Sequence, residues 1–247
     1  MKNFAVVIPA YNETLTITQV VSEALKQTSL VIVVNDASED DTAELVRKTN
    51  AILMDLPVNG GKAKALQAGF ERALKLGVEA IVTLDGDAQH SPLDIPKLLA
   101  HYEKNSKDLC IASRLKDRQN APRSRRIANS IADFWVGWAA GRPIADSQSG
   151  FRLYPASLLN KLHFPYENKS GFVFESEVLV DAAHLNYGFA FIPIDTVYAD
   201  NRRASHFRAG FDITQITFMV AKKLFKKGMN LPGLVRSLTK NPKIIQD

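Results

Sequence analysis

Short apolar runs along the chain alternate with segments in which apolar residues recur every three or four positions. Residues 4–9, 30–34, 51–56, 80–84 and 109–112 are apolar runs, interrupted only by Asp55 and Thr83, between polar or glycine-containing stretches, as expected of strands covered on both faces. Between them Ile17, Val20, Val21, Ala24 and Leu25 share one helix face, as do Ala65, Leu66, Gly69, Phe70, Ala73 and Leu74. Ser38 with Asp41 three residues later predicts a capping box before a helix over 42–48, and Pro92 predicts the opening of another helix. The second half is less regular. It reads as a basic, proline-containing loop at 118–126, an apolar helix over 127–138, a polar turn at 146–152, a helix over 175–184 and a strand at 189–194. The alternation predicts an α/β fold: a single domain with a mostly parallel nucleotide-binding sheet, helices on both faces, and a C-terminal amphipathic helical tail.

Ligands of such sheets bind beyond the carboxyl ends of the strands, so polar chemistry should follow each strand. It does: Tyr11, Asn12 and Glu13 follow the first run, Asn35 and Asp36 the second, the 85–89 segment the fourth, and Ser113 and Arg114 the fifth. In Asp85-Gly86-Asp87-Ala88-Gln89, two carboxylates two residues apart directly after a buried strand can converge on a hard cation, Mg²⁺ or Mn²⁺, that bridges to substrate phosphates. Gln89 adds a neutral oxygen, and Gly86 is expected to permit the tight backbone path. Asp36 suits a base or ribose contact, or simply caps the next helix. Gly60-Gly61-Lys62 lacks the spacing of a phosphate loop but places Lys62 at a helix start where backbone can approach a ligand. Arg114, Arg123, Arg125 and Arg126, with Arg202 and Arg203 later, supply bidentate forks for phosphate.

The net charge of +5 suits nucleotides or an anionic membrane face, and no dense basic arm points to nucleic acid. The lone cysteine, Cys110, sits in an apolar run and reads as core. The five histidines show no zinc spacing, and Trp135 and Trp138 read as packing. No basic-then-apolar leader opens the chain and no apolar run approaches the roughly 20 residues that span a bilayer. The expected location is the cytoplasm, peripheral at the inner face of a membrane. Phe211, Ile213, Ile216, Phe218, Met219, Val220, Leu224 and Phe225 with Lys222, Lys223, Lys226 and Lys227 form a basic amphipathic segment, fit for a membrane interface or for packing on protein.

The run Val7-Ile8-Pro9-Ala10-Tyr11-Asn12-Glu13, the Asn35-Asp36-Ala37-Ser38 segment, residues 85–90, Ser113-Arg114 and Ser149-Gly150-Phe151-Arg152, in this order, resemble the large family 2 of inverting glycosyltransferases with the A-type fold. Within it the chain is most similar to dolichol- or polyprenyl-phosphate sugar synthases. The resemblance covers residues 4 to 210 and implies a catalytic domain over 1–210 followed by the 211–247 helical segment. It implies that Pro9, Tyr11, Glu13 and Asp36 hold base and ribose, that Asp85 contacts the nucleotide, and that Asp87 and Gln89 bind the metal. Arg114 would face the acceptor phosphate with Arg126 and Ser130 as helpers, and Arg202 or Arg203 would meet the donor diphosphate. Two positions depart from the family pattern: Asn35 replaces an acid, and His206 stands where a lysine is expected. The implied reaction moves a hexose from GDP-mannose or UDP-glucose to a polyprenyl or dolichyl phosphate. A glycan or small-molecule hydroxyl acceptor would need a base, for which Asp146 is the candidate unless it pairs with Arg152. A nucleotidylyltransferase should carry a glycine-rich loop where this chain has Pro9-Ala10-Tyr11-Asn12-Glu13; a non-catalytic nucleotide-sugar binding partner is opposed by the intact acids.

Overall fold

The computed structural model describes residues 3–114, 123–163, 171–195, 209–226 and 228–245. Seven strands, β1 (Phe4–Ala10), β2 (Val31–Asn35), β3 (Ile52–Asp55), β4 (Ala80–Thr83), β5 (Asp108–Ser113), β6 (Arg152–Pro155) and β7 (Gly188–Pro193), form one sheet in the order β3-β2-β1-β4-β6-β5-β7. The helices are α1 (Ile17–Leu25), α2 (Thr42–Arg47), α3 (Lys62–Lys75), α4 (Ile95–Lys104), α5 (Arg123–Ala140), α6 (Ala156–Leu159), α7 (Gly171–His184), α8 (Ala209–Lys226) and α9 (Leu231–Thr239).

The apolar strands are explained by two cores. Ala5 and Val7 of β1 face α3, α5, α7 and α8, whereas Val6 and Ile8 face α1 and α4. The same parity divides the other long strands: Leu109 and Ile111 of β5 face the first core, Cys110 and Ala112 the second. Cys110 is fully buried, and burial pushes its thiol up to about 12, so the core reading holds.

Pairing is parallel except at β6, which runs antiparallel to both β4 and β5. The sequence reading stopped at a polar turn there; four residues between β4 and β5 are too short to show an alternation. Reversal of this strand has a consequence for the site. The turn that precedes β6 lies at the same sheet edge as the loops that follow β4 and β5. The strand order also reverses at β1 and β4, which opens a crevice between the loops after those two strands.

Three local expectations are corrected. Ser38 does not cap α2; its hydroxyl accepts the Asn12 N–H at 3.0 Å, and no side chain caps that helix at its Asp41 N-cap. The positive φ of the 85–89 turn falls at Ala88, at 55°, rather than at Gly86. Residues 123–126 are not loop but the first turn of α5; residues 115–122 lie outside the described residues. Among the described residues no helix is long and apolar enough to cross a membrane. Ile216, Met219, Val220 and Leu224 of α8 are buried in the first core, while Phe218 and Phe225 are exposed.

Candidate active site

Three loops form the floor of the crevice. The Asn12 N–H reaches Ser38, the Glu13 N–H reaches Thr42 Oγ1 at 2.8 Å, and Glu39 N–H donates to Asn12 Oδ1 at 2.8 Å. Thr16 Oγ1 donates to the Gly86 carbonyl at 2.6 Å, tying the loop after β1 to the loop after β4. Pro9, Tyr11 and Glu13 are all half-buried on this floor. Asp36 is buried, and its two oxygens accept the Gly60 and Gly61 N–H groups, each at 2.7 Å. It therefore fixes the glycine loop ahead of α3 rather than capping α2. Asn35 donates to Asp55 Oδ1 at 2.8 Å and accepts from the Ser38 N–H. An acid at this position would face the Asp55 carboxylate, which accounts for the neutral residue.

Asp85, Asp87 and Gln89 are half-buried on the turn after β4. The Gln89 N–H donates to Asp87 Oδ1 at 3.0 Å, which folds the turn back on itself. Among the described residues no three of His, Cys, Asp and Glu gather as a ready-made metal cage. A carboxylate with an amide oxygen two residues on is nevertheless the kind of hard, open donor set on which Mg²⁺ or Mn²⁺ is completed by water and substrate phosphates.

Lys62 Nζ lies 2.6 Å from Asp85 Oδ1 and 2.9 Å from Glu175 Oε1. Burial would lower the Lys62 pKa, but the two carboxylates outweigh it and the ammonium is held above its ordinary range. For Asp85 burial acts upward, and the charge and hydrogen bond of Lys62, aided by Arg114, bring its pKa below the usual carboxylate value.

Arg114 forms a fork on Asp146: its Nε and backbone N–H reach Oδ2 at 3.0 and 2.8 Å, and Nη2 reaches Oδ1 at 2.7 Å. Asp146, at φ 47°, is buried, which would raise its pKa, but Arg114 more than reverses this and keeps it ionised. Arg152 does not pair with Asp146. It is fully buried, and its guanidinium donates to the carbonyls of Ser149, Ser147 and Glu175, each at 2.7 Å. Asp133 of α5 accepts the Ser147 N–H at 2.8 Å, so α5 fixes the same turn.

His90 is buried against Phe151, with ring centroids 5.7 Å apart, and neither of its nitrogens has a hydrogen-bond partner among the described residues. Arg126 and Ser130 line a groove of about 440 Å³ on α5 whose other walls are Ile127, Ile131, Phe134 and Trp135. Trp135 thus packs against Trp138, at 5.3 Å between centroids, and also borders a cavity. Arg123 is exposed. The Arg125 side chain and Arg202, Arg203 and His206 lie outside the described residues. Sequence reasoning missed Glu175, Asp133 and the buried role of His90. Asp133 and Glu175 stand on helices read only for their apolar periodicity, and no local spacing marked either one.

The fold and crevice are those of an A-type glycosyltransferase, and residues 5–171 match the family described as "Glycosyl transferase family 2". The chain belongs to that family and is a glycosyltransferase. It is 28% identical over 230 residues to the UDP-N-acetylglucosamine–dolichyl-phosphate N-acetylglucosaminyltransferase of Methanococcus voltae, covering 84% of this chain and 91% of the relative. It is 26% identical over 229 residues to the polyprenol monophosphomannose synthase of Mycolicibacterium smegmatis, covering 88% and 85%. Among solved structures, glucosyl-3-phosphoglycerate synthase from Mycobacterium tuberculosis, in complex with Mn²⁺, UDP and glucosyl-3-phosphoglycerate, shares the fold at a TM-score of 0.70 and 19% identity, over 90% of this chain and 80% of that one.

Proposed function

We propose that this enzyme transfers a hexose, with inversion, from a nucleoside diphosphate sugar such as GDP-mannose or UDP-glucose to a polyprenyl or dolichyl phosphate. The observation that carries the acceptor is the α5 groove, apolar along Ile127, Ile131, Phe134 and Trp135, with Arg126 and Ser130 on its wall. Arg126, Ser130 and Asp133 are spaced four and three residues apart, so they follow one helix face toward Asp133, which holds the turn bearing Asp146, the partner of Arg114. An isoprenoid chain suits such a groove, and Arg126 on its wall offers the phosphate a bidentate fork. The named relatives in Methanococcus voltae and Mycolicibacterium smegmatis act on lipid phosphates, in keeping with this reading.

In this mechanism Pro9, Tyr11, Glu13 and Asp36 cradle base and ribose, and Asp85 orients the nucleotide. Asp87 and Gln89 would hold Mg²⁺ or Mn²⁺, which would supply Lewis-acid stabilisation to a diphosphate. Arg202 or Arg203 is assigned to the same diphosphate. Arg114 faces the acceptor phosphate with Arg126 and Ser130. A phosphate monoester is already anionic near neutral pH and attacks without a base. Asp146 suits this division of labour: with its oxygens engaged by Arg114 and its pKa lowered, it is a weak proton acceptor and a firm support for the arginine. The exposed Phe218 and Phe225 with Lys222 share one face of α8, suited to peripheral contact with an anionic bilayer, and α9 exposes Leu231 and Val235.

The test is transfer from UDP- and GDP-sugars, with Mn²⁺ or Mg²⁺, to polyprenyl phosphate, to the unphosphorylated polyprenol and to an oligosaccharide, read by mass spectrometry. Product is expected on the phosphate. Transfer confined to a hydroxyl acceptor would overturn the assignment.

A further inference from the structure

Lys62, Asp85, Gly150 and Glu175 come from four separate segments: the start of α3, the loop after β4, the turn before β6, and α7. They meet at one point. The Lys62 ammonium is gripped by both carboxylates, and the Gly150 backbone is packed against all three side chains. A Cβ on Gly150 would lie 2.7 Å from Lys62 Nζ, 2.9 Å from Asp85 Oδ2 and 3.0 Å from Glu175 Oε1. The Lys62 stem is confined as well, since a Cβ on Gly171 would lie 2.7 Å from its Cδ. Two glycines therefore wall a slot that admits one extended lysine. Glu175 closes the slot: its side chain is 1% exposed, and its backbone carbonyl is held by Arg152. Its Oε1 grips Lys62, while Oε2 is buried with no partner among the described residues.

We propose that Glu175 is a positioning residue for the donor end of the site, holding Lys62 against Asp85 so that the Asp85 carboxylate is oriented before a nucleotide arrives. The inference rests on the assignment of Asp85 to the nucleotide. Asp85 is about a quarter exposed and has two rotatable bonds, so without a fixed cation it would sample several orientations at the crevice. With Lys62 clamped from behind, one oxygen is committed and the carboxylate plane is set, which reduces the ordering cost of binding. Glu175 itself touches no substrate in this scheme.

The experiment is a double-mutant cycle on the full chain. Affinity for UDP and GDP with Mn²⁺ is measured by calorimetry for wild type, Glu175→Gln, Lys62→Met and the double variant. Acetylation of Lys62 is followed in parallel by mass spectrometry without nucleotide. Glu175→Gln is expected to weaken nucleotide binding about fivefold or more, and to speed Lys62 acetylation at least threefold. In the Lys62→Met background the Glu175 change should alter affinity by less than twofold, because a residue acting only through Lys62 has nothing left to act on. Wild-type affinity in Glu175→Gln, effects that multiply in the double variant, or unchanged Lys62 acetylation would each overturn the proposal. Glu175→Asp, which keeps the charge on a shorter stem, should fall between wild type and Glu175→Gln, and supplies the same cycle if Glu175→Gln does not fold. Should the wild type bind neither nucleotide, the donor assignment fails, while the acetylation rates still decide whether Glu175 holds Lys62.

Discussion

The two sides of the crevice are assembled from different bonds. On the side of β1, β2 and β4, most ties between loops are neutral or exposed: backbone N–H groups to Ser38, Thr42 and Asn12, and a threonine hydroxyl to Gly86, with the buried Asp36 carboxylate on the Gly60 and Gly61 N–H groups as the exception. On the side of β5, β6 and α7, the same work falls to buried charges: Arg114 on Asp146, Arg152 on three carbonyls, and Lys62 between two acids. Parallel strands with short helical crossovers deliver the first set of loops to one edge by topology, so weak ties suffice. The turn before β6 must be held against loops that are distant in sequence, and a buried ion pair there specifies one arrangement while carrying a heavy desolvation cost.

The largest expected effect lies at the seam. Asp87→Ala should lower kcat/KM for transfer by about 10³-fold, about 4 kcal/mol of transition-state stabilisation, with little change in melting temperature. Asp87 is half-buried, and one of its bonds is to the Gln89 N–H within its own turn. Activity within tenfold of wild type would remove it from the metal site.

Next in size is a pair of stability measurements that set the two sides against each other. Arg152→Met keeps an apolar stem but strands the carbonyls of Ser147, Ser149 and Glu175 in the core, and should cost about 3 kcal/mol by urea denaturation. Asp40→Ala removes acceptors for Thr14 and Thr42 on the other side, where Asp40 itself is exposed to solvent, and should cost about 1 kcal/mol. Equal costs would mean that the buried charges are no more important to the fold than the exposed ties.

The same division explains what could be read from the residues. Strand positions were visible because both sheet faces are covered, and the parity of Val6 against Val7 follows from that. The chain segments bearing Tyr11, Asp36, Asp87 and Arg114 were visible because a parallel sheet sends every strand's carboxyl end to one edge. The partners were not. From the sequence Asp146 reads as a base or as the partner of nearby Arg152, whereas it binds Arg114, 32 residues away, because β6 is inserted antiparallel and carries its preceding turn back to β5. Glu175 lies in an apolar helix, and nothing in its local spacing reveals that the start of α3 sends a lysine toward it. Sequence pattern reports which residues share a face or an edge; it does not report which charges meet across the sheet.

His90 belongs to the donor-side loop by sequence and to the other side by contact, so it tests how tightly the two are joined. Burial depresses its pKa from 6.5 to about 4; Arg114 and Lys62 push the same way, against the opposing pull of Asp85 and Asp146. The fold therefore holds the neutral ring, while the unfolded chain takes up a proton below 6.5. Since the unfolded state binds the extra proton, this contribution is complete at neutral pH and is lost as pH falls from 6.5 toward 4. At pH 5.5, about one unit below the unfolded value, the loss should be about 1.4 kcal/mol. In metal-free buffer, urea unfolding of wild type and His90→Gln between pH 7.5 and 5.5 isolates it, because the other histidines contribute alike to both proteins. The wild-type curve should fall more steeply by about that amount. Parallel curves would mean that His90 reaches solvent, and that the packing of the donor loop against Phe151 is looser than a 5.7 Å ring contact implies.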